Sequence, residues 1–296
     1  MKTVRVRLAG GLGNQLFQYH AGFLLAKTTN RNLVLDDQLI KFEKAYKTRL
    51  AQGFKQVGIR GLLGQENFST SFLLNESENL YRAKDKFLEL IGALESRNFF
   101  GDDTGSDLNV RKFKVESTAK NILLQGNLQS SEIAIEAKKL GSLESFRNYN
   151  FGETHREQPI ILHVRLSDYR VPNASKYMVG PDYYENALRN LNHDFPESPI
   201  WLFSDEPKVA LNYIPKEYRD RVTFTNNPNN LTDVQELELM SKGIAYINTN
   251  STFSFWASFL SNGKKIIAPT PWFKGSDKNE KITLFKYPEN WSELKW

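Results

Sequence analysis

"TVRVRLAGGLGNQLFQYHAGFLLAKTTNRNLVLDD", Thr3 to Asp37, decides the fold class. TVRVRL alternates apolar and polar residues as a half-buried strand does. Gly10 to Gly13 read as a turn. NQLFQYHAGFLLAKTTN, Asn14 to Asn30, reads as a helix with Leu16, Phe17, His20, Phe23 and Leu24 on one face, and NLVLDD as the next strand. A strand, a glycine turn, a helix and a strand make a βαβ unit, so the expectation is an α/β fold with parallel strands. Glycine lets backbone amides come close to a ligand, and a helix start adds unpaired N–H groups with a positive dipole end. Gly11, Gly13 and Asn14 are therefore candidates for contact with a phosphate or sugar hydroxyls, although a tight packing turn uses the same residues. The spacing of Gly10, Gly11 and Gly13 does not give the dinucleotide pattern G-x-G-x-x-G.

Working outward, the stretch from about Gln38 to Ser117 shows clusters of Asn, Ser and Lys with scattered aromatics and suggests short helices and loops. NILLQGNLQ reads as a strand and loop, and SEIAIEAKKLGSLESF as a helix. NYNFGETHREQP, Asn148 to Pro159, is polar without an apolar period and reads as a linker. The βα alternation then restarts. IILHVRL, IWLFSDE, IAYIN and KKIIAP are strands, and PDYYENALRNL, LTDVQELELMSK and TFSFWASFL are helices. The chain of 296 residues thus divides into two Rossmann-like halves, 1–150 and 151–296, with a ligand cleft expected between them.

Composition bounds the function. With 39 Lys and Arg against 34 Asp and Glu, the net charge of +5 is a mild basic excess, unlike a nucleic-acid-binding composition and suited to anionic small molecules or weak contact with an anionic membrane surface. The absence of cysteine excludes disulfides and thiolate metal sites. No secretion signal and no membrane-length apolar run is visible, so the expected location is cytoplasmic, with at most peripheral contact with the inner face of the membrane.

Three further stretches carry chemistry. HVRLSDY follows an apolar strand and places His163, Arg165 and Asp168 at a strand's carboxyl end, where open α/β sheets bind ligands. The Arg165 guanidinium offers a fork that fits a diphosphate and keeps its charge, while an Arg165–Asp168 pair would also steady a loop. In FSDEP, Asp205 ends another strand and suits ribose hydroxyls or a guanine N–H edge, or serves as a turn residue. In NTNSTFSFW, Ser251, Thr252 and Phe253 open a helix whose first amides form an anion cradle; alternatively Ser251 is a cap and Phe253, Phe255 and Trp256 are core. No Asp-x-Asp triplet, metal-ligand spacing or G-x-x-x-x-G-K-[ST] occurs, so no metal is expected.

Together these stretches resemble the bacterial α-1,2-fucosyltransferases of glycosyltransferase family 11. GGLGNQLFQY is similar to the family's N-terminal signature, HVRLSDY to its His-x-Arg-Arg-x-Asp-Tyr segment, FSDEP to its Phe-Ser-Asp segment, and LELMSKGIAYINTNSTFSFWASFL with IIAPTPWF to its C-terminal signature. The resemblance implies a GT-B fold with a central cleft. It also implies metal-free, inverting transfer of L-fucose from GDP-β-L-fucose to an oligosaccharide or lipid-linked glycan, with O2 of a terminal galactose as the acceptor atom. Carried over, Arg165 neutralises the departing β-phosphate with His163 and Asp168 around it. Asp205 reads guanosine, Ser251, Thr252 and Phe253 line the diphosphate, and Asn14 with the amides near Gly11 and Gly13 reaches the donor from the other half. Two departures stand out: Leu166 and Ser167 replace the second arginine and the following glycine, and Asn127 and Leu128 replace aromatics in LQGNLQS. A transferase for another GDP-sugar, or a non-catalytic nucleotide- or glycan-binding protein, stays open, and His20, Asp36 and Asp37 are equal candidates for the base.

Overall fold

The computed structural model describes residues 2–43, 47, 55–63, 68, 78–99, 117–167, 177–225, 231–272 and 285–296. They form two compact units, Met1–Asn148 and Tyr149–Trp296. Each is built on its own parallel sheet. Helices of eight residues or more are numbered here.

In the first unit, β1 (Thr3–Arg7), β2 (Asn32–Asp36), β3 (Leu94–Phe99) and β4 (Asn121–Gly126) pair in the order β2-β1-β4-β3, all parallel. The alternation in β1 is realised: Val4 and Val6 are fully buried. Arg5 and Arg7 lie on the opposite face, where both reach Asp85. α1 (Leu12–Thr28) buries Leu16, Phe17, His20 and Leu24 as its period predicts, whereas Phe23 is half-exposed. Burial extends around the helix because its second side is also covered: the Tyr19 hydroxyl donates to Ser142 O at 2.8 Å, and the His20 ring meets Phe146 edge-on.

Two sequence expectations need correction. The helix expected over Ser131 to Phe146 stops as α3 (Ser131–Lys139), because Gly141 turns the chain with φ of 86° before a short 3₁₀ turn, Ser142–Ser145. The stretch expected to hold only short helices and loops contains the 13-residue α2 (Glu78–Leu90) and the strand β3. Asp85 explains why α2 escaped a hydrophobic-period reading: one of its inward residues is charged.

In the second unit, β5 (Ile160–Val164), β6 (Ile200–Ser204), β7 (Val222–Phe224), β8 (Ala245–Ile247), β9 (Lys265–Thr270) and β10 (Ser292–Lys295) form a parallel sheet ordered β10-β9-β8-β5-β6-β7. α4 (Pro181–Asp194) covers one face with Tyr184, Leu188 and Leu191, against Leu162, Val164 and Leu202. α5 (Asp233–Met240) starts in a capping box between Thr232 and Gln235. α6 (Thr252–Phe259) packs Phe255 against Phe285 and Trp291, with ring centroids 5.3 and 5.2 Å away.

From β5 the chain winds outward through β6 and β7, then returns to the other side of β5 and winds outward through β8, β9 and β10. This is the doubly wound order, and its reversal lies between β5 and β8. Ligands in such sheets bind outside the carboxyl ends of the strands that flank the reversal. The first unit is wound differently: the chain steps from β1 out to β2, crosses to the far edge at β3 and returns inward to β4 beside β1.

Candidate functional site

The second unit's reversal is flanked by the segments singled out in the sequence. His163 is the penultimate residue of β5, half-exposed and level with Phe203 of β6. Arg165 comes directly after β5, half-buried. Leu166 is fully buried and belongs to the apolar core with Val164 and Val179. The missing second arginine is thus replaced by a core anchor that holds the Arg165 loop from beneath. Asp168 lies outside the described residues.

Asp205 follows β6 and grips the same loop. Its Oδ1 accepts the backbone N–H of Leu166 at 3.0 Å, and its Oδ2 accepts that of Ser167 at 2.9 Å together with the Ser167 hydroxyl. A carboxylate satisfying two main-chain amides is a loop clamp, the contact that the turn-residue alternative for Asp205 anticipates. Ser167, which replaces the family's glycine, supplies one of those bonds.

Across the reversal, β8 runs into Asn248, Thr249, Asn250 and Ser251, all buried. Asn250 Nδ2 donates to the carbonyls of Tyr177 and Trp272 at 2.6 and 3.1 Å, and Ser258 Oγ donates to Asn248 Oδ1 at 2.8 Å. Ser251 is the N-cap of α6, its hydroxyl accepting from Phe253 N at 3.3 Å. Phe255 and Trp256 are core, but Thr252 and Phe253 are half-exposed, which corrects the reading of Phe253 as core. The cap steadies the turn, and Thr252 and Phe253 stand at its open side.

A residue the sequence did not single out joins this region. The Glu236 carboxyl, in the first turn of α5, is pushed up to about 7, first by burial and then by the charges of Asp233 and Asp205. It is half-protonated near neutral pH, a state that marks functional sites and clustered carboxylates alike.

In the first unit, the loops after β1 and β4 meet. Gly10 has φ of 72°, and a Cβ there would stand 2.5 Å from Asn14 Nδ2. Gly10 is therefore a position where the turn requires glycine. Gly11 is the N-cap of α1 without a side-chain cap bond, and Gly13 is buried in the first turn. Gln129 Nε2 donates to Asn14 Oδ1 at 3.1 Å. The amides of Gln15 and Gln18 are nearly inaccessible and serve as struts: Gln15 joins Gly10 O to Ile59 N, and Gln18 joins Ala9 N to Gly126 O. Glu43 Oε2 accepts the Gly10 N–H at 2.9 Å. The β4 loop turns through Leu128, whose φ of 51° is uncommon for a branched apolar residue and whose side chain is fully buried. Buried glutamines in an apolar helical run were the legible sign of this scaffold.

The candidate bases separate. His20 is fully buried, its Nδ1 bonded to Leu16 O at 2.8 Å, and burial pushes its pKa down to about 3. It is enclosed by the first unit's core. Asp36 is buried, while Asp37 forms a fork with Arg60 at 2.8 and 2.9 Å. Among the described residues, no group of three His, Asp or Glu is arranged to hold a metal ion. Among them, no helix is long and apolar enough to cross a membrane.

A doubly wound parallel sheet with loops gathered at its reversal, together with a second unit on its own parallel sheet, defines a class of α/β proteins that bind ligands at strand ends. The model of glycosyl transferase family 11 matches residues 111–295, and the chain belongs to that family. It is 28% identical over 315 residues to an α-1,2-colitosyltransferase of Escherichia coli, covering 99% of each chain. It is also 28% identical over 336 residues to the O-antigen biosynthesis glycosyltransferase WbnK of the same species, covering 97% of this chain and 99% of the relative. Among solved structures, the fucosyltransferase NodZ from Bradyrhizobium aligns over 90% of this chain and 95% of its own, with a TM-score of 0.47 and 14% identity.

Proposed function

We propose that this glycosyltransferase moves a 6-deoxy sugar from a GDP-linked donor to a hydroxyl of an oligosaccharide or lipid-linked glycan, with O2 of a terminal galactose as the attacking atom. The observation that carries the reading is the placement of Arg165 and of the Ser251–Phe253 turn beside β5 and β8, the two strands that flank the sheet reversal. In this reading an acceptor hydroxyl attacks the anomeric carbon from the face opposite GDP, forming the C–O bond as the bond to the β-phosphate oxygen breaks, and its proton is released to water. Negative charge grows on the departing diphosphate. Arg165 meets it with a permanent charge in a planar fork, while Ser251, Thr252 and Phe253 provide the helix-start amides and hydroxyls. His163 and Asp168 shape the surroundings of Arg165. Asp205 fixes the loop that carries it. The first unit's glycine turn, with Gly11, Gly13 and Asn14, is read as a second binding loop, and no metal is assigned a role.

L-fucose is the first donor sugar. Colitose, which lacks the fucose 3-hydroxyl, is the second, and the relative named as an α-1,2-colitosyltransferase favours including it. The test is donor hydrolysis and transfer with GDP-fucose, GDP-colitose, GDP-mannose and UDP-sugars over a panel of galactose-terminated glycans, followed by linkage analysis. A 1,2-linked deoxysugar product supports the reading; tight GDP binding without transfer to any acceptor contradicts it. Loss of one preorganised donor costs about 10²–10³ in rate, so Arg165→Ala is expected to lose most activity and Arg165→Lys to recover little.

A further inference from the structure

Helix α2 is turned the unusual way round. A surface helix ordinarily sets its apolar stripe on the protein and its charges in water. In α2, Asp85 points at the sheet, 5% exposed, and its two oxygens take the guanidinium groups of Arg5 and Arg7 from β1. Arg7 also donates to Gln125 Oε1 at 2.6 Å. The outward side carries Phe87 and Leu90, exposed by 61% and 85%, and Ile91, 58% exposed, follows directly with its N–H still bonded to Phe87 O at 3.2 Å. Their spacing of three and four puts them on one stripe. At about 100° per residue, exposed Lys84 and Lys86 fall on opposite borders of that stripe. Glu89 lies toward the protein side, where it accepts from the Ser96 hydroxyl. The buried ion cluster fixes the rotation of the helix, so the stripe is held in water.

We propose that this stripe seats the protein on an anionic lipid bilayer. Apolar side chains flanked by lysines form the pattern of an interfacial helix: the rings and branches enter the acyl boundary while the lysine stems lie along it and keep their ammonium groups among the headgroups. The lysines on both borders, with the net charge of +5, complement phosphatidylglycerol-type headgroups. Three large apolar side chains fall well short of the roughly 800 Å² per partner of a stable protein interface, which disfavours a second copy of the chain as the occupant. The proposal does not depend on which sugar is transferred.

The test is co-sedimentation of the full chain with phosphatidylcholine vesicles, with and without phosphatidylglycerol, at low and high salt. Wild type is expected to pellet with the anionic vesicles only, and to be released by salt. The double variant Phe87→Ser/Leu90→Ser is expected to lose about tenfold or more in vesicle affinity while hydrolysing donor at the wild-type rate. Lys84→Glu/Lys86→Glu is expected to abolish the preference for anionic lipid while melting like wild type. Failure of wild type to bind, or binding by either double variant that equals wild type's, overturns the proposal. So does a wild-type dimer in sedimentation velocity that Phe87→Ser/Leu90→Ser converts to monomer.

Discussion

Asp205 and Ser167 are joined twice: one carboxylate oxygen accepts both the backbone N–H of Ser167, at 2.9 Å, and its hydroxyl. The other oxygen accepts Leu166 N at 3.0 Å, so a side chain of the β6 end dictates the path of the loop after β5. Hydrogen bonds to a charged acceptor are worth about 1.5–3 kcal/mol each. Asp205→Ala leaves two amides without their acceptor and frees the loop that carries Arg165. It is expected to lower kcat by about 10²-fold, in line with losing an oriented donor, and to lower the melting temperature. Asp205→Asn turns an NH₂ toward one of the amides and falls between wild type and Asp205→Ala. Ser167→Ala removes only the hydroxyl bond and is expected to stay near wild type in both assays. Equal kcat for wild type and Asp205→Ala would remove the clamp from the mechanism.

The glycine turn offers a test that separates backbone from ligand. At Gly10, φ of 72° and a Cβ position 2.5 Å from Asn14 Nδ2 make alanine both strained and crowded. Gly10→Ala is expected to destabilise by about 1 kcal/mol or more, displacing Asn14 from Gln129. Gly11 has φ of −74°, which any residue adopts. Gly11→Ala is therefore expected to melt like wild type and to raise KM for the donor. Thermal melts and donor kinetics on the two variants check the pair; a Gly11→Ala enzyme with unchanged KM would take Gly11 out of the binding loop.

Most strands and the loops at their ends were legible from apolar runs: TVRVRL carries a period-two burial pattern and IILHVRL opens on a continuous apolar one, and Val4, Val6, Ile161 and Leu162 are buried accordingly. The edge strands β3, β7 and β10 were not, because their short or polar runs carry no such pattern. The role of Asp205 was not legible, since its partners are main-chain amides 38 and 39 residues away that have no signature in sequence. The alternative that put Phe253 in the core fails because aromatic spacing in TFSFW does not say where a helix begins to emerge from its unit. Helix α2 was hidden by Asp85, which occupies an inward position normally reserved for an apolar residue. For Asp205 and Asp85 a long-range polar contact overrode the local pattern.

Glu236 ties stability to pH in the direction opposite to an ordinary salt-bridged acid. Burial, with Asp233 and Asp205 close by, raises its pKa from 4.5 to about 7. Between those values the folded chain keeps a proton that the unfolded chain has released, so this group's contribution falls as pH rises through the window and is fully lost above it. Glu236→Gln keeps the shape and discards the charge. Its melting temperature is expected to match wild type near pH 4.5 and to exceed it by several degrees at about pH 8. A variant that melts below wild type at the higher pH would show that the carboxylate is stabilising there.

His20 acts at the acid side. Its imidazole, fully buried and bonded to Leu16 O, has a pKa lowered from 6.5 to about 3, with burial the main cause. Above pH 6.5 neither state binds the proton and the group contributes no pH dependence. As pH falls from 6.5 toward 3, the unfolded chain takes up a proton that the folded chain refuses, and stability drops; by pH 5 the cost is about 2 kcal/mol. Urea denaturation at a series of pH values reads the effect as a slope. His20→Gln loses some packing at every pH, so its absolute stability is expected to lie below wild type. Its slope between pH 6.5 and 5 is expected to be shallower by nearly one proton, because the acidic groups common to both proteins cancel in the comparison. Parallel slopes for the two proteins would mean that the folded chain admits the proton, and that His20 is open to solvent or to a partner charge.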